Sequence, residues 1–186
     1  DVSDPNIKQK LDDFSSTLIQ QIDTMTSVAS AFSNFATMPA QQNETLNVVK
    51  IVKLALEIFN EDYIQFSALE DEIIAKLDRT QLIRVITNLV KNAIQAVPEE
   101  QENKAVFVTV FRELGSVKIE VKDNGKGVPI ENKNHIFEPK FTTKTSGMGL
   151  GLSIIKKIIE NYNGTITFES EIGVGTTFLV SFPISE

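Results

Sequence analysis

The chain contains no cysteine, which removes disulfides, thiol nucleophiles and Cys-ligated zinc or iron–sulfur centres together. Histidine is almost as scarce: a single residue, His135, excludes any histidine-rich metal cluster. Basic residues are outnumbered, with 18 Lys and Arg against 25 Asp and Glu, and the net charge is −7. An acidic chain without a basic block is poorly suited to nucleic acid or anionic lipid, whose phosphates recruit Lys and Arg. No apolar run approaches the roughly 20 residues of a membrane span, and the first residues do not read as a signal peptide. Internal repeats and low-complexity segments are also missing. What is there, 186 residues of which 41% are hydrophobic, amounts to one ordinary domain plus extra length, enough for a sizeable core.

The extra length lies at the start. Between Ile7 and Ala36, apolar residues fall at Ile7, Leu11, Phe14, Leu18, Ile22, Met25, Ala29, Phe32 and Ala36. Steps of three and four make one helical stripe, and no Gly or Pro interrupts it. The expectation is a helix of about 30 residues, roughly 45 Å long, ended by Met38-Pro39 because the residue before proline avoids helical backbone. Such a stripe needs a partner helix, from this chain or another. Residues 1–38 therefore stand apart, 39–46 read as a linker, and 47–186 hold every glycine.

Beyond the linker, Asn47 suits the N-cap of an amphipathic helix. Short strands are expected near Tyr63–Leu69 and Glu72–Leu77. Asp78 and Gln81, in capping-box spacing, open a helix running to Val97-Pro98. Ala105–Arg112 and Val117–Lys122 alternate as strands across a turn at Glu113–Ser116. A glycine-rich stretch fills 123–151, followed by a helix from about Leu150 to Tyr162 that Asn163-Gly164 should stop. Thr165–Glu169 and Thr176–Phe182 read as a closing hairpin. Strands and helices mix without regular βαβ alternation, so the fold class is α+β, a sheet covered by helices.

Three segments carry chemistry. Asn88 and Asn92 share one face of a helix that is otherwise apolar there. They are either satisfied core amides or ligands of a hard cation, since magnesium takes few protein ligands beside phosphate and water oxygens. Asp123-Asn124-Gly125-Lys126-Gly127 follows a strand directly. A hairpin turn would explain it, and so would a carboxylate that accepts from an exocyclic amine, beside glycines that let a ligand approach the backbone. Gly147-Met148-Gly149-Leu150-Gly151 opens a helix, where unobstructed amides and the positive helix end favour phosphate. It matches neither a P-loop nor a dinucleotide fingerprint. Just before it, Phe137 to Lys144 is a loop with two aromatics, two threonines and lysines, either a functional loop or a surface loop anchored by Phe137 and Phe141.

In this order and at these intervals, Asn88…Asn92, Asp123-x-Gly125-x-Gly127, Phe137…Thr142-Thr143-Lys144 and Gly147-x-Gly149-x-Gly151 resemble the N, G1, F and G2 boxes of bacterial sensor histidine kinases. The similarity spans about residues 47–183. Phe35-Ala36-x-Met38-Pro39 and Phe141-Thr142-Thr143-Lys144 look most like the nitrogen-regulation class. The resemblance implies a Bergerat-type two-layer α/β sandwich, a mixed sheet covered by helices, preceded by one long helix. It implies ATP and Mg2+ as ligands, with Asp123 on the adenine amine, Asn92 on the metal, and Asn88 and Lys91 facing the phosphates in catalysis. Gly125 and Gly127 belong to the base pocket. Gly147, Gly149, Leu150 and Gly151 would cradle the triphosphate, Thr143 and Lys144 would lie on the loop over it, and Thr176 would support the adenine pocket. The departures are Gln95 in place of lysine, Met148 in place of a small hydroxyl residue, and Lys140 in place of an aromatic.

The hydrolysing relatives carry Glu where this chain has Asn88, and an amide cannot act as general base toward water. The resemblance therefore favours phosphoryl transfer to a histidine and then to a response regulator receiver domain. His135 falls in the predicted loop, no phosphoacceptor is expected in this chain, and residues 1–38 resemble the second helix of a dimerisation hairpin. That implies a homodimer in the intact protein, a cytoplasmic location compatible with a parent anchored in the inner membrane, and no contact of this fragment with membrane or nucleic acid. The alternative is a nucleotide-binding regulatory module without kinase activity.

Overall fold

The computed structural model describes residues 14–19, 21–22, 41–139 and 149–184. The chain forms two compact units, Asp1–Ala40 and Gln41–Glu186. In the first, residues 14–19 and 21–22 are helical, and Phe14, Leu18 and Ile22 of the expected stripe expose their side chains, as does Ile19. The remainder of the helix expected over 7–36 lies outside the described residues.

The second unit runs β1 (Glu44–Asn47), α1 (Val48–Leu56), β2 (Ile64–Ala68), β3 (Ile74–Leu77), α2 (Arg79–Ala96), β4 (Val106–Glu113), β5 (Ser116–Asp123), α3 (Gly151–Asn161), β6 (Thr165–Glu171) and β7 (Gly175–Pro183), with a 3₁₀ turn at Ile130–Asn132. Five strands form a mixed sheet in the order β2-β4-β5-β7-β6, and β1 pairs β3 in a separate antiparallel ribbon. Only β2 and β4 run parallel, and their long connection contains β3 and α2. The two short strands expected at 63–69 and 72–77 thus belong to different sheets.

Strand alternation separates the two faces of the sheet. Val106, Val108 and Val110 of β4, Val117, Ile119 and Val121 of β5, and Phe178, Val180 and Phe182 of β7 are buried beneath the helices. Against them α2 packs Leu82, Val85, Ile86, Leu89 and Val90, and α3 packs Ile154, Ile155, Ile158 and Ile159. Fully burying one such side chain contributes about 1.5–3 kcal/mol, so these rows hold the two layers together. Phe107 and Lys122, on the opposite face, are exposed, and Thr109 and Glu120 are half-buried; no described helix covers them.

Local signals explain most boundaries. The β4–β5 turn is Leu114-Gly115 with φ of 49° and 71°, the paired left-handed geometry of a two-residue hairpin. Helix α3 ends in a Schellman motif: Gly164 N donates to Ile159 O at 3.0 Å and Asn163 N to Glu160 O at 2.9 Å. Asn163 adopts the left-handed conformation, and Gly164 is needed because a methyl there would lie 2.5 Å from Ser181 O. The capping box at Asp78 is half made. Asp78 Oδ1 accepts from Gln81 N at 3.0 Å, but Asp78 N donates to the Tyr162 hydroxyl at 3.1 Å, and Gln81 Oε1 is buried without a partner among the described residues. Asp78 Oδ2 accepts from Gln42 N, and Tyr162 Oη donates to Asn43 Oδ1. The segment read as a linker therefore joins the second unit from Gln41, and its last residues form β1. Only Leu46 is buried in that four-residue strand, so no alternation announced it.

Candidate functional site

The ends of β5 and β7 supply one half of the site. Asp123, the last residue of β5, lies opposite Thr176 in β7, and both are buried on the helix-covered face. Asp123 Oδ1 accepts from Gly125 N at 2.9 Å and from Thr176 N at 3.3 Å. Its second oxygen, Oδ2, takes no hydrogen bond from the described residues and remains an open acceptor. Burial pushes the Asp123 carboxyl above the ordinary aspartate range, and the two backbone donors oppose that shift only in part.

The glycines after Asp123 have a second, internal purpose. A methyl at Gly125 would meet Ala96 O, the last carbonyl of α2, at 2.3 Å, and Lys126 N donates to that same carbonyl at 3.0 Å. At Gly127, φ is +72° and a methyl would lie 2.2 Å from Glu171 O. Both glycines therefore let the chain's own backbone pack closely, a reason the motif alone did not disclose. Asn124 secures the same loop, its Oδ1 accepting from Ala105 N at 2.9 Å.

Helices α2 and α3 supply the other half. Asn88 and Asn92 are half-buried one turn apart on α2, and Lys91 is exposed. Asn88 Nδ2 donates to Arg84 O at 2.8 Å, leaving Oδ1 toward α3, where a methyl at Gly151 would lie 3.0 Å from it. Gly149 has φ of +63° and Leu150 is the N-cap, but no side chain caps α3 and its first turn has no acidic residue. The positive end of α3 is therefore not neutralised by its own residues. Thr143, Lys144 and Gly147 lie outside the described residues.

The loop that follows β5 carries His135, exposed, with Nδ1 2.9 Å from Glu138 Oε1. Ile136 is buried, and Phe137 meets Phe168 edge-on at 5.9 Å and Phe178 at 6.5 Å, with Lys156 Nζ 5.4 Å from its ring centre. Phe137 is thus the anchor that its loop required, while Phe141 lies outside the described residues.

One residue of this region escaped the sequence reading. Ser170 of β6 is Thr176's partner on the other side, so Asp123, Thr176 and Ser170 form a single row across three strands. Ser170 Oγ lies 2.8 Å from Val128 N and 2.9 Å from both Gly175 O and Thr176 Oγ1. A lone serine on a strand gives no signal until the register is known.

Among the described residues no group of three or more His, Cys, Asp and Glu could hold a metal, and no helix is long and apolar enough to cross a membrane.

Comparison with known proteins gives the family of the chain. Residues 77–186 match the family described as histidine kinase-, DNA gyrase B- and HSP90-like ATPase. Sporulation kinase A of Bacillus subtilis (strain 168) is 36% identical over 152 residues, covering 77% of this chain and 25% of that protein. The sensory histidine kinase/phosphatase NtrB of Rhizobium leguminosarum bv. phaseoli is 39% identical over 122 residues, 59% of this chain and 32% of that protein. The chain thus spans about a quarter to a third of the length of these relatives. The catalytic domain of histidine kinase ThkA, nucleotide-free, superposes with a TM-score of 0.68 at 33% identity, covering 77% of this chain and 96% of that domain. ThkA in complex with response regulator protein TrrA matches 98% of this chain and 53% of its own, with a TM-score of 0.71 at 25% identity.

Proposed function

Since the chain belongs to the histidine kinase-, DNA gyrase B- and HSP90-like ATPases, on the branch of the sensor histidine kinase catalytic domains, we propose that it binds Mg-ATP and transfers the γ-phosphate to a histidine outside its own residues, from which a response regulator takes it. The observation that carries this reading is Asp123, a buried carboxylate with one oxygen fixed by backbone donors and the other left open. An exocyclic amine is the partner such an oxygen suits. Gly125, Gly127 and Thr176 hold the carboxylate in place. Asn88 and Lys91 act on the phosphates, joined by Gly149, Leu150 and Gly151 at the start of α3 and, from outside the described residues, by Thr143, Lys144 and Gly147.

The donor set suits magnesium, which binds through few protein ligands and the nucleotide's own oxygens. Asn92, half-buried on the face it shares with Asn88, would hold it, and when bound the ion offsets phosphate charge. Asn88, being an amide, cannot take a proton from water, so it supplies no general base for hydrolysis. Its Oδ1, fixed by the bond from Nδ2 to Arg84, positions rather than reacts. Transfer forms a bond from the acceptor's imidazole nitrogen to the γ-phosphorus and breaks the bond to the β,γ-bridging oxygen, leaving ADP. Positioning and charge neutralisation are the main terms.

His135, in a surface loop and paired with Glu138, is not the acceptor. Residues 1–38 act as the second helix of a dimerisation hairpin, a reading that the exposed Phe14, Leu18 and Ile22 support. The intact protein is a homodimer, and this part of it works in the cytoplasm. The test supplies a separate protein bearing an acceptor-histidine helix together with labelled ATP. Transfer to that histidine is expected, with none to His135. Tight ATP binding without transfer to any acceptor helix would leave a regulatory module instead.

A further inference from the structure

The β4–β5 ladder ends in an exchange of partners. It runs to Val106 opposite Asp123, so Ala105 and Asn124 form the next pair. Asn124 N donates to Ala105 O at 3.2 Å, the first of the two backbone bonds that such a pair makes. The second is not made. Ala105 N donates instead to the side chain, Asn124 Oδ1, at 2.9 Å. Asn124 Nδ2 donates to Asn103 O, which fixes the amide with its oxygen toward Ala105. The Asn124 carbonyl is thereby released, and it accepts from Gln101 Nε2 at 3.1 Å. The side chain of Asn124 stands in for its own backbone carbonyl.

The released peptide is planar, so the Asn124 carbonyl and the Gly125 N–H point in opposite directions. With the carbonyl turned away from Ala105 N, Gly125 N reaches Asp123 Oδ1 at 2.9 Å. Pairing that carbonyl with Ala105 N would extend the ladder by one pair and swing Gly125 N off the carboxylate. Thr176 N, at 3.3 Å, would then be the one donor left to Oδ1 among the described residues. We propose that Asn124 is a positioning residue for base binding: by satisfying Ala105 N with its side chain, it keeps the 124–125 peptide turned so that Gly125 fixes Asp123 Oδ1 and leaves Oδ2 to the ligand. The proposal rests on the assignment of Asp123 to the base. Such a surrogate adds little stability, since the ladder bond it replaces forms when it is removed, and Asn103 O keeps its bond from Gln101 Nε2. Its effect falls on binding, through a carboxylate oriented before the ligand arrives.

The test is Asn124→Ala in the 186-residue chain, read by calorimetric ATP titration, thermal melting and amide hydrogen exchange without nucleotide. ATP should bind at least about fivefold more weakly, while the melting temperature stays within about 3 °C of wild type. The Ala105 N–H should remain protected, and the Gly125 N–H should exchange at least about tenfold faster. Ala105→Pro, a residue tolerated at the start of a strand, leaves no N–H to compete for the carbonyl. In that background Asn124→Ala should change ATP affinity less than about twofold. Unchanged ATP affinity, or an unchanged Gly125 exchange rate, would overturn the inference, as would a full loss of affinity persisting in the proline background. A variant in which both amides lose protection and melting falls sharply would leave Asn124 a structural role alone. Should Asp123→Asn bind ATP as the wild type does, the base assignment fails instead, and the exchange pattern at Ala105 and Gly125 would still stand.

Discussion

Replacing Asp123 by Asn separates the site's chemistry from the fold's. The substitution keeps size and shape, and the amide carbonyl can still accept from Gly125 N and Thr176 N, as Oδ1 does now. The amide NH2 is then forced into the place of Oδ2, where it presents donors to a base amine that is itself a donor. A charge-assisted hydrogen bond contributes about 1.5–3 kcal/mol, and with about 1.4 kcal/mol per decade its loss should weaken ATP about 10- to 150-fold. Stability should move the other way or not at all. Burial holds the native Asp123 pKa above its unfolded value. The native state is therefore favoured below the unfolded pKa, and that advantage is lost as pH rises through the raised native value. Asn has no proton to lose, so at neutral pH the nucleotide-free variant should melt at or above the wild-type temperature, and its acid-range pH dependence should flatten. Calorimetric titration with ATP and melting curves at pH 5 and pH 7.5 give both quantities. ATP affinity within threefold of wild type would refute the role of Oδ2. A variant that loses binding and also melts well below wild type would make the carboxylate a structural group.

Gly125→Ala should destabilise the chain by about 2 kcal/mol or more in urea denaturation, because its methyl would lie 2.3 Å from Ala96 O, a backbone atom of α2 that cannot step aside; a wild-type midpoint would contradict this crowding. Gly151→Ala meets only the end of a side chain, Asn88 Oδ1 at 3.0 Å, so stability should change by less than about 1 kcal/mol while ATP binding weakens at least threefold; unchanged binding would mean that the position of Asn88 does not matter. Leu114, 94% exposed with φ of 49°, strains a hairpin turn that prefers Asn, and Leu114→Asn should raise stability by about 0.5–1 kcal/mol, with no gain in melting temperature counting against it.

Features carried by neighbouring residues were legible in the sequence. The 3.6-residue period of α2, the Asp78 cap, the Leu114-Gly115 turn and the Asn163-Gly164 stop all follow from chemistry within a few positions, and all are in the structure. The order of the motifs also allowed the family to be read before the fold was known. What stayed hidden depends on distant pairing. β1 has one buried residue in four and exists because β3 accepts it. The Ser170 bonds rest on register, as does the approach of Thr176 N to Asp123, 53 residues away in sequence. The glycines after Asp123 suit a tight turn or the close approach of a ligand, and the structure brings the Ala96 and Glu171 backbone against them. A motif reports that bulk is forbidden at a position, but not which neighbour forbids it.

Strand alternation at the end of β5 also offers an experimental handle. Lys122 is exposed on the uncovered face, one residue from the buried Asp123 on the other. Because the chain has no cysteine, Lys122→Cys would create its sole thiol. A fluorophore attached there would sit behind the site, separated from it by the thickness of the sheet. Such a label could follow nucleotide occupancy in real time without obstructing entry.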